Sequence, residues 1–270
     1  MKRIKDVRGM TALVTGADGG IGREFCRELA RRGCNIIGVS NRGEALIACM
    51  EEIRKDFGVE TLGIECNLAS EGASEALFSD LKSRGKEIDI LINNAGIFSF
   101  RPVTELESRR VDLYVDLHVR SVTELTRLAA LEMSKRGRGM ILNMSSMSCW
   151  TPYPGIALYS ATKAYIRAFS RAMHYELRDS GVSITVACPG GIATDLFGLP
   201  GNLKRLAVGI GAIETPERFA RKCVRRMLAR KKQYVNGFVN RLAIVGASVA
   251  PTGVRMLVKR KMLDKGIRVG

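Results

Sequence analysis

Thr11-Ala-Leu-Val-Thr15-Gly16-Ala-Asp18-Gly19-Gly20-Ile21-Gly22 runs directly into Arg23-Glu-Phe25-Cys-Arg-Glu-Leu29-Ala-Arg-Arg32-Gly33. The first five residues are apolar or β-branched, the mark of a short buried strand. Glycines follow, where a tight turn needs backbone freedom and where a side chain would hold a phosphate away. Ile21, Phe25 and Leu29 then recur at helical spacing, and Gly33 closes the helix. Strand, glycine turn and helix in this order build a cradle for a pyrophosphate at a helix N-terminus. Gly16, Asp18, Gly20, Ile21 and Gly22 are its candidate contacts.

Cys34–Ser40 reads as a second buried strand and ends in Asn41-Arg42. At this place an aspartate suits the ribose 2′-hydroxyl of NAD, and an arginine suits the 2′-phosphate of NADP. Residues 39–42 hold no acid, so Asn41 and Arg42 favour NADP(H) over NAD(H). An exposed loop arginine is the plainer alternative. A helix pattern over 44–57 leads to strand Thr61–Cys66 and then Asn67-Leu68. Residues 70–84 read as helix, and Ile88–Ile92 as a strand ending in Asn93-Asn94-Ala95-Gly96. A long helical region over 105–135, with room for a kink, precedes strand Gly139–Met144. Helix Tyr159–Asp179 closes at Gly181 before strand Val182–Ala187. Strands alternating with helices give an α/β fold, a Rossmann-type doubly wound parallel sheet. Right-handed crossovers then set every one of these turns along one sheet edge. The expected organisation is one catalytic domain over 1–235 and a basic amphipathic extension over 236–270.

The chain of 270 residues is 46% hydrophobic and 26% charged, ordinary for a globular protein with a sizeable core. Seven cysteines are scattered with no C-x-x-C pair and no zinc spacing, so reduced thiols in the cytoplasm are expected and no metal. Met1–Met10 is basic and lacks an apolar core, so it does not read as a leader. The net charge of +16 is local: residues 218–270 hold fifteen basic residues and one acid, Asp264, leaving +2 for the rest. A nearly neutral body argues against nucleic-acid binding. The tail suits phosphates, an anionic membrane surface or an acidic carrier, with a solvated surface as the bland alternative.

Chemistry enters at Asn143–Lys163. Tyr159-Ser-Ala-Thr-Lys163 puts a phenol and an ammonium on one helix face. A neighbouring ammonium favours the phenolate, so Lys163 is expected to draw the Tyr159 pKa down toward general acid/base use. Ser146, at the end of an apolar strand, can hold a substrate oxygen.

Taken together, Thr15-Gly16-x-x-x-Gly20-x-Gly22, Asn93-Asn94-Ala95-Gly96, Ser146, Tyr159-x-x-x-Lys163 and Pro189-Gly190-x-x-x-Thr194 resemble the short-chain dehydrogenase/reductase family, in order and spacing, over about residues 8–235. The resemblance implies Tyr159 as general acid/base, Lys163 as its pKa partner and nicotinamide-ribose ligand, and Ser146 on the substrate oxygen. It implies Asn93 and Gly96 on the adenine-ribose side, with Asn94 and Ala95 between them. Thr194 should meet the carboxamide, Ile192 should do so through its backbone, and Pro189 and Gly190 form the cofactor-binding turn before them. Asn67 stands where the family often has an aspartate, and an amide can make the same hydrogen bond. His118 stands where the family's fourth catalytic residue, an asparagine, belongs. It either takes over the proton relay or packs inside its helix. His174 reads as structural.

Ile97, Phe98, Phe100, Met147, Trp150 and Tyr153 flank the motifs, and an apolar, glycine-bearing segment over about 194–212 reads as a lid. Core packing accounts for such residues as well. The reading reached is an NADP(H)-dependent oxidoreductase of a ketone or secondary alcohol on a hydrophobic, lipid-, sphingoid- or steroid-like substrate. It is expected as a homo-oligomer, cytoplasmic, with peripheral contact to an anionic membrane through the tail. The tail's longest apolar run is too short to span a bilayer. A 3-oxoacyl-carrier-protein reductase and a cofactor-binding regulatory scaffold with little turnover are the alternatives. The extended C-terminus and the Ser121–Arg127 stretch resemble the family's lipid and hydroxysteroid branch.

Overall fold

A computed structural model describes residues 3–192, 213–248 and 250–264. Among these residues, seven strands form one parallel sheet in the order β3-β2-β1-β4-β5-β6-β7. The strands are β1 (Thr11–Thr15), β2 (Asn35–Ser40), β3 (Thr61–Glu65), β4 (Ile90–Asn93), β5 (Gly139–Met144), β6 (Val182–Ala187) and β7 (Gln233–Tyr234). The first six match the strands expected from sequence. β7 is only two residues long, too short for any alternation to announce it.

Helices cover both faces. α1 (Gly20–Ala30) buries Phe25, Cys26 and Leu29 on one side of the sheet, against α7 (Pro216–Leu228), where the Phe25 and Phe219 rings meet edge to face at 6.5 Å. α2 (Gly43–Phe57) lies on the same side, with Leu46 and Met50 under β2. α3 (Ala73–Ser83) and α5 (Ser121–Lys135) cover the other side through Leu77, Leu81, Leu125 and Met133. Every residue of β5 and β6 is buried, as expected for inner parallel strands.

The long helical region has a kink with a definite form. α4 (Ser108–Val115) passes through a π segment, Asp116–Arg120, into α5. One extra residue in the turn widens the helix there and sets His118 inside the protein, fully buried. α6 (Ala157–Glu176) carries Tyr159 and Lys163 on its buried side. The extension folds as α8 (Phe238–Ser248) and α9 (Thr252–Val258), the latter running into a second π segment, Lys259–Leu263. Buried Leu263 and the Phe100 ring pack at Gly155, so the extension returns to the edge that carries Ser146. The segment expected as a lid, 194–212, lies outside the described residues.

Strand order reverses between β1 and β4. In open parallel sheets the crevice at that reversal, outside the strand C-termini, is where ligands bind. The glycine turn, Asn94–Gly96 and Ser145-Ser146 all leave the sheet there.

Candidate active site

The turn after β1 is built for close approach. Gly16 and Gly20 have φ of 63° and 54°, and a side chain at Gly22 would collide with the Gly16 carbonyl. Asn94 staples the loop after β4 onto this turn: its Nδ2 donates to the Thr15 carbonyl at 3.0 Å and the Gly16 carbonyl at 3.3 Å. Thr15 Oγ1 accepts from the Asn94 and Ala95 amides at 2.9 Å. The α1 N-cap, Gly19, offers no side-chain cap, so the first-turn N–H groups remain for a ligand.

These groups open into a cavity of about 710 Å³. From the turn it takes Gly16, Asp18, Gly20 and Ile21; beyond β2, Asn41 and Arg42; beyond β3, Asn67 and Leu68. Asn94, Ala95 and Gly96 form its middle, and Ser146, Tyr159, Lys163, Pro189, Gly190 and Ile192 its far end. Gly22 supports the turn from behind and does not line the cavity. Thr194 lies outside the described residues. The walls also include Leu113, Leu117 and Ser145, which sequence reasoning missed. Leu113 and Leu117 share a helix face, but nothing in that spacing separates a cavity wall from core. A dinucleotide fits this donor set: backbone amides and glycines at the pyrophosphate position, a guanidinium at the ribose end, and hydroxyls at the far end.

Asn93, expected on the adenine-ribose side, is placed elsewhere. It is buried beneath the loop, with Nδ2 donating to Asn143 Oδ1 at 2.8 Å and to Thr126 Oγ1 at 3.1 Å. Asn143 in turn donates to Ser170 Oγ at 2.9 Å. β4 ends inside the core, so its last side chain ties strands to helices, and the ligand-facing positions start one residue later.

Ser146 ends β5's reach into the edge and caps a short 3-10 turn, Met147–Trp150, accepting the Ser148 amide at 3.2 Å. Its hydroxyl also acts to lower the Tyr159 pKa. Ser145 Oγ donates to the Lys163 carbonyl at 2.7 Å, which fixes α6 against the end of β5. Lys163 Nζ donates to the Met144 carbonyl at 3.1 Å and lies 5.6 Å from the centre of the Tyr159 ring.

The electrostatics correct one expectation. Burial pushes the Tyr159 pKa up to about 12, against the downward pull of the Ser146 hydroxyl. Burial also lowers Lys163 to about 8, with Cys188 pulling the other way. Lys163 does not draw Tyr159 down here, because its ammonium is committed to the Met144 carbonyl rather than to the phenol oxygen. At neutral pH the pair is a neutral phenol beside a charged ammonium.

His118 sits behind Gly96, outside the cavity wall, with Nε2 accepting the Ile97 amide at 3.0 Å and Nδ1 at 3.0 Å from Thr162 Oγ1. His174 faces the Ile184 carbonyl at 2.8 Å, a structural contact. All seven cysteines are free, and among the described residues no cluster could hold a metal ion.

The family model for short chain dehydrogenases matches residues 10–199. Among curated proteins, the very-long-chain 3-oxoacyl-CoA reductase of Anas platyrhynchos is 35% identical over 195 residues, covering 70% of this chain and 61% of that protein. The 17-beta-hydroxysteroid dehydrogenase type 3 of Rattus norvegicus is 35% identical over 193 residues, with the same 70% and 61% coverage. This chain thus spans about three-fifths of the length of these relatives. Among solved structures, a 7beta-hydroxysteroid dehydrogenase superposes with a TM-score of 0.82 at 24% identity, covering 92% of this chain and 95% of that one, a likeness of fold. Sheet order, glycine turn and matched residues agree: the chain belongs to the short-chain dehydrogenase family, whose members are NAD(P)-dependent oxidoreductases.

Proposed function

We propose that this protein is an NADP(H)-dependent oxidoreductase that interconverts a ketone and a secondary alcohol on a hydrophobic substrate, with Tyr159 as general acid/base. The observation that carries this reading is the meeting of Ser146, Tyr159 and Lys163 at the end of a cavity whose other end is the glycine turn. The dinucleotide, when bound, supplies or accepts the hydride. Tyr159 gives its phenolic proton to the carbonyl oxygen in reduction and recovers it in oxidation. Ser146 holds that oxygen. Lys163, charged at neutral pH and held by the Met144 carbonyl through one N–H, keeps its other donors to hold the nicotinamide ribose. Asn94, through its bonds to Thr15 and Gly16, keeps the cradle in shape.

A hydrophobic substrate is supported by the approach to Tyr159. The Phe98 ring stands edge-on to Tyr159 with centroids 5.0 Å apart, and Ile97 lines the cavity next to it. The named relatives act on very-long-chain 3-oxoacyl thioesters and on 17β-hydroxysteroids. The reading extends to the extension: its exposed Leu242, Val245 and Leu257, flanked by Arg241 and Lys259–Lys261, suit an anionic lipid surface.

The test is turnover of NADPH with ketosteroids, 3-oxoacyl thioesters and 3-ketosphinganine by the wild type and Tyr159→Phe. Loss of the phenol removes a general acid worth about 10²- to 10⁴-fold in rate. Undiminished activity in Tyr159→Phe would overturn the assignment.

A further inference from the structure

The geometry assigns His118 as a positioning residue: a neutral imidazole, protonated on Nδ1, that clamps the loop after β4 to the helix carrying Tyr159 and exchanges no proton in the reaction. The inference rests on the reading of Tyr159 as acid/base.

The tautomer follows from its partners. Ile97 donates its amide to Nε2 at 3.0 Å, and only an unprotonated ring nitrogen can accept. Thr162 Oγ1 donates its single proton to the Tyr159 carbonyl at 2.9 Å, so toward His118 it can only accept, and Nδ1 must carry the hydrogen. Each ring nitrogen is thereby used once, and the ring has no solvent exposure. Its faces are closed by Tyr114 and Tyr159, at 5.4 Å and 6.0 Å between ring centres.

A relay would need a ring nitrogen free to meet Lys163. None is free. A side chain at Gly96 would come 2.9 Å from His118 Nε2 and 3.6 Å from Lys163 Nζ, so only a glycine lets the loop pass between them. The charged groups bearing on the ring are Lys163 from α6 and Arg110 from α4, both cationic; the nearby phenols, Tyr114 and Tyr159, are neutral. Burial first, and then these two cations, hold the His118 pKa well below its ordinary value.

The two bonds serve different parts of the site. Ile97 belongs to the loop whose residues 94–97 wall the cavity, so the Nε2 bond holds cofactor-facing backbone. Thr162 bonds the Tyr159 carbonyl, so the Nδ1 bond holds the first turn of α6 and with it the phenol. Two substitutions separate them, because a glutamine carbonyl reaches the place of Nε2 and an asparagine amide the place of Nδ1.

Nitrogen NMR of the wild-type histidines, assigned with a His174→Gln control, tests the tautomer directly. The expected spectrum shows His118 protonated on Nδ1 alone from about pH 6 to about pH 9. Kinetics test the division. His118→Gln should bind NADPH as the wild type does and lose about fivefold to tenfold in kcat on a ketone the wild type reduces. His118→Asn should instead weaken NADPH binding by a similar factor, the scale of one lost neutral hydrogen bond. A proton on Nε2 or on both nitrogens, a pH–rate limb that vanishes in both variants, or unchanged NADPH affinity and kcat in both would overturn the inference. If neither variant folds, the wild-type spectrum decides. If no ketone is reduced at all, the functional reading fails while the spectrum and the NADPH titrations still judge the clamp.

Discussion

Arg42 reaches back over Gly19 and pairs its guanidinium with the carboxylate of Asp18. The carboxylate is almost wholly buried while the guanidinium is two-thirds exposed, so the pair holds a cation at the mouth of the cavity's ribose end. In the proposed NADP(H) reading the exposed side of this guanidinium meets the 2′-phosphate while Asp18 holds it from behind. Hydrogen bonds to charged groups are worth about 1.5–3 kcal/mol, or roughly tenfold to a hundredfold in affinity. Arg42→Ala is therefore expected to weaken NADPH binding by that factor and to leave NADH binding nearly unchanged, read by cofactor fluorescence titration. Tighter NADH than NADPH binding by the wild type would sink the preference itself.

Much of this site is legible in the chain before any coordinate is known, and the parts that are not share a cause. Gly16, Gly20, Tyr159 and Lys163 are readable because a phosphate cradle and a phenol–amine pair demand particular residues at fixed spacing, whereas Asn94 is reached only through the family resemblance. The role of Asn93 is not readable. Its neighbour Asn94 has the same chemistry, and only the strand's end decides which one turns into the core to meet Thr126 and Asn143. The state of the Tyr159–Lys163 pair also escapes sequence, because burial, absent from a helical-wheel argument, dominates both groups. β7 is missed for want of length, and the π segment because its signature is a hydrogen-bond shift rather than a residue type.

The buried Lys163 carries a stability cost with a definite pH dependence. Its folded pKa of about 8 lies below the ordinary 10.5, so below about pH 8 the folded state holds an ammonium it disfavours. The unfolded chain binds more protons between these values, so stability rises with pH across that window. The shift corresponds to roughly 3 kcal/mol at neutral pH. Lys163→Met should raise the melting temperature at neutral pH, converge with the wild type near pH 10, and abolish turnover. Tyr159 adds the opposite trend higher up. Its folded pKa of about 12 exceeds the ordinary 10, so stability falls from about pH 10 upward as the unfolded phenol ionises. Equal melting temperatures for wild type and Lys163→Met at neutral pH would contradict this account.

Cys149 is the thiol expected to react first. Its neighbour Cys188 holds its pKa below the ordinary thiol value against the upward push of burial, with the Arg167 charge also lowering it. Burial raises Cys26, Cys34, Cys49, Cys66 and Cys223, and the bond to Cys149 together with burial raises Cys188. A thiolate is the reactive species, so substoichiometric iodoacetamide near neutral pH should label Cys149 ahead of the others in a peptide map. Cys149 lies in the turn capped by Ser146, so labelling should reduce turnover in parallel. Preferential labelling of Cys66, the other half-exposed thiol, would show that access rather than thiolate character governs.

The extension makes the remaining prediction. Of the eleven large hydrophobic residues exposed among the described part of the chain, five fall between Leu242 and Leu257, so this surface differs from the rest. Arg241, Lys259, Arg260 and Lys261 are exposed beside them. No helix among the described residues is long and apolar enough to cross a membrane, so a lipid contact here is one that lies along the surface. A second copy of the same surface is a poor occupant, because residues 218–270 carry +14 and two such faces repel. An anionic bilayer answers both the apolar and the basic residues, at about 1 kcal/mol for each basic side chain near it. Sedimentation with vesicles should therefore capture the protein on phosphatidylglycerol-containing lipid, less so at high salt, and weakly on neutral lipid. Leu242→Gln with Leu257→Gln should release it without lowering NADPH affinity, since both residues lie outside the cavity. Equal binding to neutral and anionic vesicles, or a dimer that the same substitutions dissociate in the absence of any vesicle binding, would assign this face to something other than anionic lipid.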